Sequence, residues 1–379
     1  MSEEMIGRYW GKAGENGRCH LLPFHCLDVT AVAAHWWAKS PALRRRLCHE
    51  TRLGEEATRA WVLFFVALHD LGKFDIRFQL KAPTVLAALQ QDFTPDMADP
   101  EPGFGHGLAG LYWFQKDLAA LGFTDRQWDR WLPWMRAVAG HHGGLELGKL
   151  DKVGRPDADG AIIATDRDAR GTWMKAVEAL FLTPAGLSLD DLPPPCPELV
   201  AGFCSVSDWL GSNEDQFTYR ADPLPFADYW KGVLPTAAHA LAESGLFQTP
   251  LAQGGMEAVF PTLQPRQVQT LVDRLPTSPG LTLIEAPTGS GKTEAALAYA
   301  SRLLAAGHAD AAVFALPTQA TANAMFTRLL EIKDRLFPGG ASLLLAHGKA
   351  GFNRQFQALK AASRPTAQGG EEALAQGIA

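Results

Sequence analysis

The chain has 379 residues, of which 47% are hydrophobic and 20% are charged, a composition typical of globular proteins with more than one domain. Residues 1–250 carry 24 Lys and Arg against 32 Asp and Glu, which excludes a nonspecific DNA-binding surface that works by charge alone. The five cysteines show no C-x-x-C spacing, which argues against a disulfide framework or a zinc finger. No apolar run reaches about 20 residues and no signal peptide is apparent, so the sequence predicts a cytoplasmic protein without membrane contact.

Residues 1 to about 240 are predicted to be all-α, because alternation of Val, Ile and Thr is scarce there. Start, stop and periodicity signals predict helices at 25–48 with a break near Pro41, at 55–72, from His106 onward, and at 128–142, 172–182 and 197–211. Residues 145–170 are polar and lack periodicity, which predicts a loop.

The pattern changes near residue 260, where short apolar runs alternate with helices. The runs lie at 281–286, 311–316 and 342–347, and a helix is predicted between the last two, at 319–336. Strands that alternate with helices indicate a partial α/β lobe with a parallel, RecA-like sheet. We therefore divide the chain into an all-α domain (1–245), a linker (246–265), an incomplete RecA-like lobe (266–350) and a tail (351–379).

The segment WVLFFVALHDLGKFDIRF, residues 61–78, places His69 and Asp70 on a helix that is predicted to be buried. Burying an ionised carboxylate beside an imidazole costs several kcal/mol unless both groups have partners or cations. The alternative to a metal site is a purely structural role, in which His69 is a hydrogen-bonded core histidine and Asp70 caps a helix. Matching groups occur at four further places in the predicted helical domain: His25, His106, the pair His141 and His142, and Asp208.

Five imidazoles and two carboxylates on several helices can meet in a bundle core, as metal ligands of helical proteins do. Adjacent helical residues point about 100° apart, so His69 and Asp70 can face different ions, and Asp70 has two oxygens that can bridge them. Imidazole with carboxylate suits Mn, Fe, Co, Ni or Zn better than Mg or Ca. Lys73 is predicted to stabilise a phosphate oxygen, or else to cap the end of its helix.

A phosphate-binding loop is predicted in LTLIEAPTGSGKTEAALAYA, between an apolar run and a helix. Its backbone N–H groups can cradle phosphates, Lys292 can reach the β and γ oxygens, and Thr293 can ligate Mg. The predicted ATP/Mg site consists of Gly289, Ser290, Gly291, Lys292 and Thr293. No DExH or DEAD box follows in this chain, so we expect weak ATP binding without productive hydrolysis or translocation.

Four motifs of the first part, HDLGKFDIRFQ, GHGLAG, AGHHGG and SDWLGSN, resemble in order and spacing the HD nuclease domain of the CRISPR-associated helicase-nuclease of type I interference systems. The resemblance covers about residues 15–240. It implies one ion held by His25, His69, Asp70 and Asp208, and a second held by Asp70, His106, His141 and His142. In the second part, Gln267 resembles the adenine-reading glutamine of superfamily 2 helicases, and LPTQATANAM resembles their following motif.

The resemblance implies a nuclease that hydrolyses the single-stranded DNA of an R-loop with two divalent transition-metal ions, with Asp70 and Lys73 as catalytic residues. The implied partners are single-stranded DNA and the RNA-guided surveillance complex. The sequence resembles the front portion of the family's enzyme, which leaves open that a separate chain carries the rest of the helicase. Two alternatives stay open: an HD-type phosphohydrolase that acts on nucleotides, and a non-catalytic recruitment module for the surveillance complex.

Overall fold

The computed structural model describes residues 6–14, 17–90, 92–120, 125–145, 147–244, 246, 253–278, 280–309, 311–338, 343–347, 353 and 355. The chain forms two compact units, Met1–Ser244 and Gly245–Ala379. Most of the predicted tail, residues 351–379, lies outside the described residues. Of the helices that are described, none is long and apolar enough to cross a membrane.

The first unit begins with two short antiparallel strands, β1 (Trp10–Ala13) and β2 (Cys19–Leu21), in which Lys12 pairs with His20. Its described residues then form the helices α1 (Leu22–Lys39), α2 (Pro41–Thr51), α3 (Glu55–Ala67), α4 (Ile76–Gln79), α5 (Pro83–Leu89), α6 (His106–Ala120), α7 (Asp125–Ala139), α8 (Gly160–Val177), α9 (Val200–Gly211) and α10 (Phe226–Glu243). The unit is mostly helical, as predicted, but the sheet corrects the expectation of an all-α domain. The prediction missed it because strands of three and four residues are too short to show alternation.

Helix α1 lies at the centre of the first unit. Residues 22–34 are buried on every side of this helix, the pattern of a helix enclosed by others. It packs against α3, α9 and α10. The predicted break near Pro41 is confirmed, because Ser40 separates α1 from α2 and its side chain accepts a hydrogen bond from Leu43 N at 3.0 Å.

Helix α3 ends earlier than the sequence predicted. The expected helix at 55–72 stops at Ala67, so His69 and Asp70 lie in a turn and not on a helix. The His69 N–H donates to Val66 O at 3.1 Å. This i to i−3 bond makes a tighter turn than the i to i−4 bond of an α-helix. The turn redirects the backbone before the short 3₁₀ segment Leu71–Lys73.

A close approach of backbones explains this tight turn. Gly72 lies against the first turn of α6, where an added Cβ would lie 1.9 Å from His106 O. Helix α7 likewise stops at Ala139 instead of continuing to residue 142. His141 and His142 therefore lie in the turn that follows it.

Helix α8 corrects a further prediction, since residues 145–170 were expected to form a loop. The helix begins at Gly160, after Asp159 accepts a hydrogen bond from Ala161 N at 2.7 Å as its N-cap. Its buried face includes Asp166 and Arg170. Charged residues on the buried face conceal the apolar periodicity from which helices are predicted.

The core of the first unit is rich in aromatic residues contributed by α3, α6 and α7. Phe65 stacks on Trp134 with ring centroids 4.8 Å apart, and Trp61 meets Trp131 edge to face at 5.6 Å. Such pairs add about 0.5–1.5 kcal/mol each beyond the burial of their area. This packing holds the two turns that follow α3 and α7 beside each other.

The described residues of the second unit form α11 (Met256–Val259), α12 (Gln267–Val272), α13 (Lys292–Ala305) and α14 (Gln319–Leu336). The helix predicted at 319–336 is confirmed, and α11 lies within the predicted linker. The described parts of the three apolar runs carry no assigned strand, so they do not form the predicted parallel sheet. Leu281, Leu283 and Val313 are 98%, 78% and 91% exposed, whereas parallel strands need burial on both faces.

Candidate metal centre

All seven predicted metal ligands converge on one centre in the first unit. They come from five places in the chain: His25 on α1, His69 and Asp70 in the turn after α3, His106 at the start of α6, His141 and His142 in the turn after α7, and Asp208 on α9. The donors form two groups, and within each group the donor atoms lie within 4.8 Å of one another. The first group is His25, His69 and Asp70, and the second is His106, His141 and His142. This convergence depends on contacts between elements that are distant in sequence.

Asp70 lies between the two groups and turns one oxygen toward each. Its Oδ2 lies 3.0 Å from Nε2 of His25 and 3.3 Å from Nε2 of His69. Its Oδ1 lies 3.2 Å from Nε2 of His106 and 3.7 Å from Nε2 of His141. A carboxylate in this position can bridge two cations.

Asp208 adds a second carboxylate on the His25 side. Its Oδ1 lies 3.5 Å from Nε2 of His25 and 3.7 Å from Nε2 of His69. The hydroxyl of Ser212, the C-cap residue of α9, donates to the same oxygen at 3.0 Å and so helps to orient it. Ser212 was not predicted as a site residue, although a serine four residues after a helical ligand lies on the same face.

His142 gives the other side of the centre contact with solvent. His25, His69 and His141 are buried, His106 is half-buried, and His142 is exposed. The ring of His142 lies 5.2 Å from that of His106 and 4.0 Å from that of His141, measured between centroids. The centre is therefore closed on the α1 side and open beside His142.

Hydrogen bonds to the backbone fix the orientation of two imidazoles. Nδ1 of His69 bonds to Val66 O at 2.9 Å, and Nδ1 of His141 bonds to Val138 O at 2.7 Å. If Nδ1 carries the proton in each ring, Nε2 presents a lone pair to the centre, the arrangement usual for histidine ligands of metals. Among the described residues, the buried Nε2 atoms of four rings have no hydrogen-bond partner: His25, His69, His106 and His141. Buried nitrogens without partners fit a bound cation.

The charge states of most groups in the site also suit a metal. His69 is the exception: burial lowers its pKa, but the Asp70 and Asp208 carboxylates outweigh burial and raise it, so a bound metal would displace the proton of this ring. Burial lowers the pKa of His25 to about 3 and lowers the pKa of His106 and His141, so these imidazoles are neutral near pH 7. Burial alone would raise the pKa of Asp70, but the Lys73 ammonium and His69 outweigh it and hold that pKa well below its usual value. Neutral imidazoles with ionised carboxylates are the forms that bind divalent metals.

Lys73 lies inside the site, only 3% exposed. Its Nζ is 2.8 Å from Oδ2 of Asp70 and donates to Gly11 O of β1 at 3.2 Å. An ammonium in this position neutralises Asp70 and ties the turn after α3 to the N-terminal sheet. Lys73 lies in the 3₁₀ segment Leu71–Lys73 and not at the end of an α-helix.

Glycines are the sequence signal for the predicted phosphate loop of the second unit. Two of them adopt positive φ, +81° at Gly289 and +91° at Gly291, a conformation that favours glycine. Lys292 Nζ donates to Ala286 O at 2.6 Å and to Pro287 O at 3.1 Å. Ser290 and Thr293 are half-buried. Local sequence is enough to predict this site, because its expected phosphate donors are consecutive backbone N–H groups.

A second glutamine, in addition to the predicted Gln267, lies beside this loop. Gln267 is exposed, whereas Gln269 is buried and its Nε2 donates to Gly291 O at 3.3 Å. Arg266 also bonds to the loop, at Gly289 O. The signal that could have identified Gln269 is its position two residues further along α12, since residues 267 and 269 point to different sides of a helix.

Comparison with known proteins agrees with both parts of the chain. The model of the Cas3 HD domain family matches residues 10–217, and that of the DEAD/DEAH box helicase family matches residues 264–366. The chain is 44% identical over 402 residues to the CRISPR-associated endonuclease/helicase Cas3 of Escherichia coli (strain K12), an alignment that covers 98% of this chain and 45% of that protein. The chain therefore spans less than half of this relative's length.

Two solved structures are similar over most of the chain. The crystal structure of T. fusca Cas3 is 26% identical with a TM-score of 0.70, over 92% of this chain and 40% of that one. A chain in a structure titled CRISPR RNA-guided surveillance complex, pre-nicking, is 25% identical with a TM-score of 0.56, over 86% of this chain and 38% of that one. Because the HD-domain match covers more than half of its residues, the chain belongs to the Cas3 HD domain family.

Proposed function

We propose that this chain is a metal-dependent nuclease that hydrolyses phosphodiester bonds of single-stranded DNA in type I CRISPR interference. The observation that carries the proposal is the position of Asp70, whose two oxygens face two separate groups of imidazoles. The function printed for the E. coli relative, an endonuclease and helicase, supports the same reaction.

The centre is proposed to take two divalent transition-metal ions, Mn, Fe, Co, Ni or Zn, because imidazole nitrogens dominate its donors. The proposed ligands are His25, His69, Asp70 and Asp208 for one ion, and Asp70, His106, His141 and His142 for the other. Bound ions of this kind hold the scissile phosphate, lower the pKa of a water molecule and neutralise charge on the leaving oxygen.

The side chains of the protein are proposed to position the metal ligands and to neutralise negative charge. Asp70 fixes the separation of the two imidazole groups, and Lys73 holds Oδ2 of Asp70 at 2.8 Å. The proposed catalytic role of Lys73 is to stabilise a phosphate oxygen with the positive charge of its ammonium group. No Ser or Cys nucleophile is required.

The proposed partners are single-stranded DNA and an RNA-guided surveillance complex. The second partner is supported by the surveillance-complex structure that contains a similar chain. Because the first 250 residues are acidic, we expect DNA binding to depend on the metal centre more than on surface charge. A separate chain that carries the rest of a helicase is a further proposed partner.

The second unit is proposed to bind ATP with Mg weakly and without productive hydrolysis. The proposed contacts are Gln267, Gly289, Ser290, Gly291, Lys292 and Thr293. Gln269 is added to them, because its bond to Gly291 O holds the loop. We propose that residues 245–379 do not drive translocation by themselves, since they contain no acidic box to anchor Mg and activate water.

The alternative of a nucleotide phosphohydrolase is not favoured, because a helicase-family match follows the HD domain in the same chain. A recruitment module without catalysis is the alternative that an experiment must separate from a nuclease. Such a module would bind the surveillance complex and leave DNA intact with every metal.

Purified protein incubated with circular single-stranded DNA, Mn, Co or Ni, and no ATP tests the proposal. We expect degradation that chelator abolishes and that Asp70→Ala reduces by at least about 1,000-fold, because the bridging carboxylate is lost. Asp222→Ala is the matched control, since residue 222 is exposed on the surface of the same unit. Intact DNA with every metal would favour the recruitment module, and release of phosphate from nucleotides without DNA cutting would favour the phosphohydrolase.

A further inference from the structure

Trp209 follows the carboxylate Asp208 on α9 and is 40% exposed. All other tryptophans whose burial the structure describes are buried or half-buried. A single exposed apolar residue is ordinary on protein surfaces and needs no explanation by itself. The position of Trp209 beside the metal centre is the feature that needs an explanation.

The contacts of α9 show which way Trp209 faces. Ser205 lies four residues before it, on the same face of the helix. The Ser205 hydroxyl donates to His141 O at 2.7 Å, so this face borders the turn that carries His141 and His142. Asp208 points about 100° away, into the centre. Trp209 therefore lies at the rim of the centre, on a face adjoining its open side beside His142.

We infer that Trp209 is a stacking platform for an unpaired nucleobase of the strand whose phosphate is cut at the centre. This inference rests on the proposed nuclease function and adds a binding site for the base. An exposed indole offers a flat apolar surface to any base, and base–aromatic stacking contributes binding without sequence preference. In a duplex both faces of a base are already covered by its neighbours, so the platform selects single strands.

Charge strengthens this assignment. The first 250 residues carry eight more acidic than basic side chains, so Coulomb attraction to phosphates is weak across the domain. Stacking on a neutral ring adds affinity without positive charge. Glu214 and Asp215, both exposed, follow α9 closely in sequence and add negative charge to the segment after this helix. The base, and not the phosphate, is the group that this rim can hold.

The test compares an oligo(dT) strand with a strand of equal length made of abasic tetrahydrofuran nucleotides, which has the same charges and no bases. Because binding is expected to depend on the metal centre, dissociation constants are measured by fluorescence anisotropy with Mn on strands whose phosphorothioate linkages slow hydrolysis. KM is measured with Mn on strands with ordinary linkages. We expect Trp209→Ala to raise Kd and KM for oligo(dT) about tenfold and to leave both values for the abasic strand unchanged. Trp209→Phe should retain most of the affinity for oligo(dT), because it keeps an aromatic face.

Leu199→Ala is the control, since Leu199 is 45% exposed and immediately precedes the same helix at its far end. Equal losses with both strands would show that Trp209 only supports the fold around Asp208, and unchanged binding of oligo(dT) would exclude stacking. Either result overturns the inference. If the wild-type protein cuts no DNA with any metal, the nuclease proposal fails instead, and the binding measurements still decide the role of Trp209.

Discussion

The metal centre and the phosphate loop of this chain are built in opposite ways. The centre gathers seven side chains from five places between His25 and Asp208, and most of them are buried. The loop uses consecutive residues around 289–293, and these are exposed or half-buried. One site depends on how helices pack together, whereas the other depends on a short run of backbone.

This difference predicts how each site responds to change. A small displacement of a packed element should disrupt the centre, because its donors must meet within a few ångströms. The loop should tolerate loss of its neighbours. The part of the second unit that the structure describes has no paired strands beside it, and Leu281 and Leu283 are 98% and 78% exposed. Three substitutions test the comparison, in order of decreasing expected effect.

Of the three substitutions, Gly72→Ala should have the largest effect on DNA cutting, although residue 72 is not a proposed ligand. Its added Cβ would meet His106 O at 1.9 Å and Gly110 N at 2.5 Å, and both are backbone atoms that move only if α6 moves. We expect cleavage of single-stranded DNA to fall about 100-fold and the free energy of unfolding to fall by about 1–3 kcal/mol. Denaturant titration and the circular-DNA assay measure the two effects.

Gly54→Ala is the matched control, because a Cβ at residue 54 has no atom within 4 Å. It should change both quantities little. Wild-type cleavage by Gly72→Ala would contradict the claim that the approach of two backbones positions His106.

Asp166→Asn should change the pH dependence of stability. Burial raises the pKa of Asp166 to about 7 in the folded protein, where its oxygens accept from Tyr9 OH at 2.7 Å and Ile76 N at 2.8 Å. The folded state therefore binds a proton more strongly than the unfolded state, so this residue makes stability fall as pH rises from about 4 to 7.

The asparagine imitates the protonated acid and should remove that part of the slope, worth at most about 4 kcal/mol across the window. Denaturant titrations of both proteins between pH 4 and 8 measure the difference. Parallel curves for the wild type and Asp166→Asn would show that the carboxyl does not titrate in this range.

Lys292→Ala should have the smallest effect on DNA cutting. The Lys292 ammonium bonds to carbonyls of its own loop, in a unit separate from the metal centre. We expect ATP-independent cleavage to stay unchanged and binding of a fluorescent ATP analogue to fall. A large loss of cleavage would mean that the two sites do not act independently.

The sequence predicted several elements well and others badly, for identifiable reasons. The break at Pro41 and the helix 319–336 are confirmed, because proline and regular apolar spacing are local signals. Residues 172–177 of α8 lie in the helix predicted at 172–182, but its first part was missed because it buries Asp166 and Arg170, which bonds to Phe74 O at 2.9 Å. A helix with charged residues on its buried face lacks the regular spacing of apolar residues from which helices are predicted.

The candidate site shows the same division. His and Asp residues at seven positions could be selected from sequence, and the structure brings all seven together; that they bind two ions stays a prediction. The sequence did not indicate that His69, Asp70, His141 and His142 lie in turns. Nor did it single out Gly72, whose contact with α6 is with a residue more than thirty positions away.

The sequence by itself determined which chemical groups this protein has: imidazoles and carboxylates suited to a transition metal, and a glycine-rich loop suited to phosphate. Those properties belong to residue types and short spacings. Only the tertiary structure decided that Asp70 directs its oxygens to two sides and that Trp209 lies at the rim. Where helices end depends on which backbones approach one another, and that depends on packing between elements far apart in the chain.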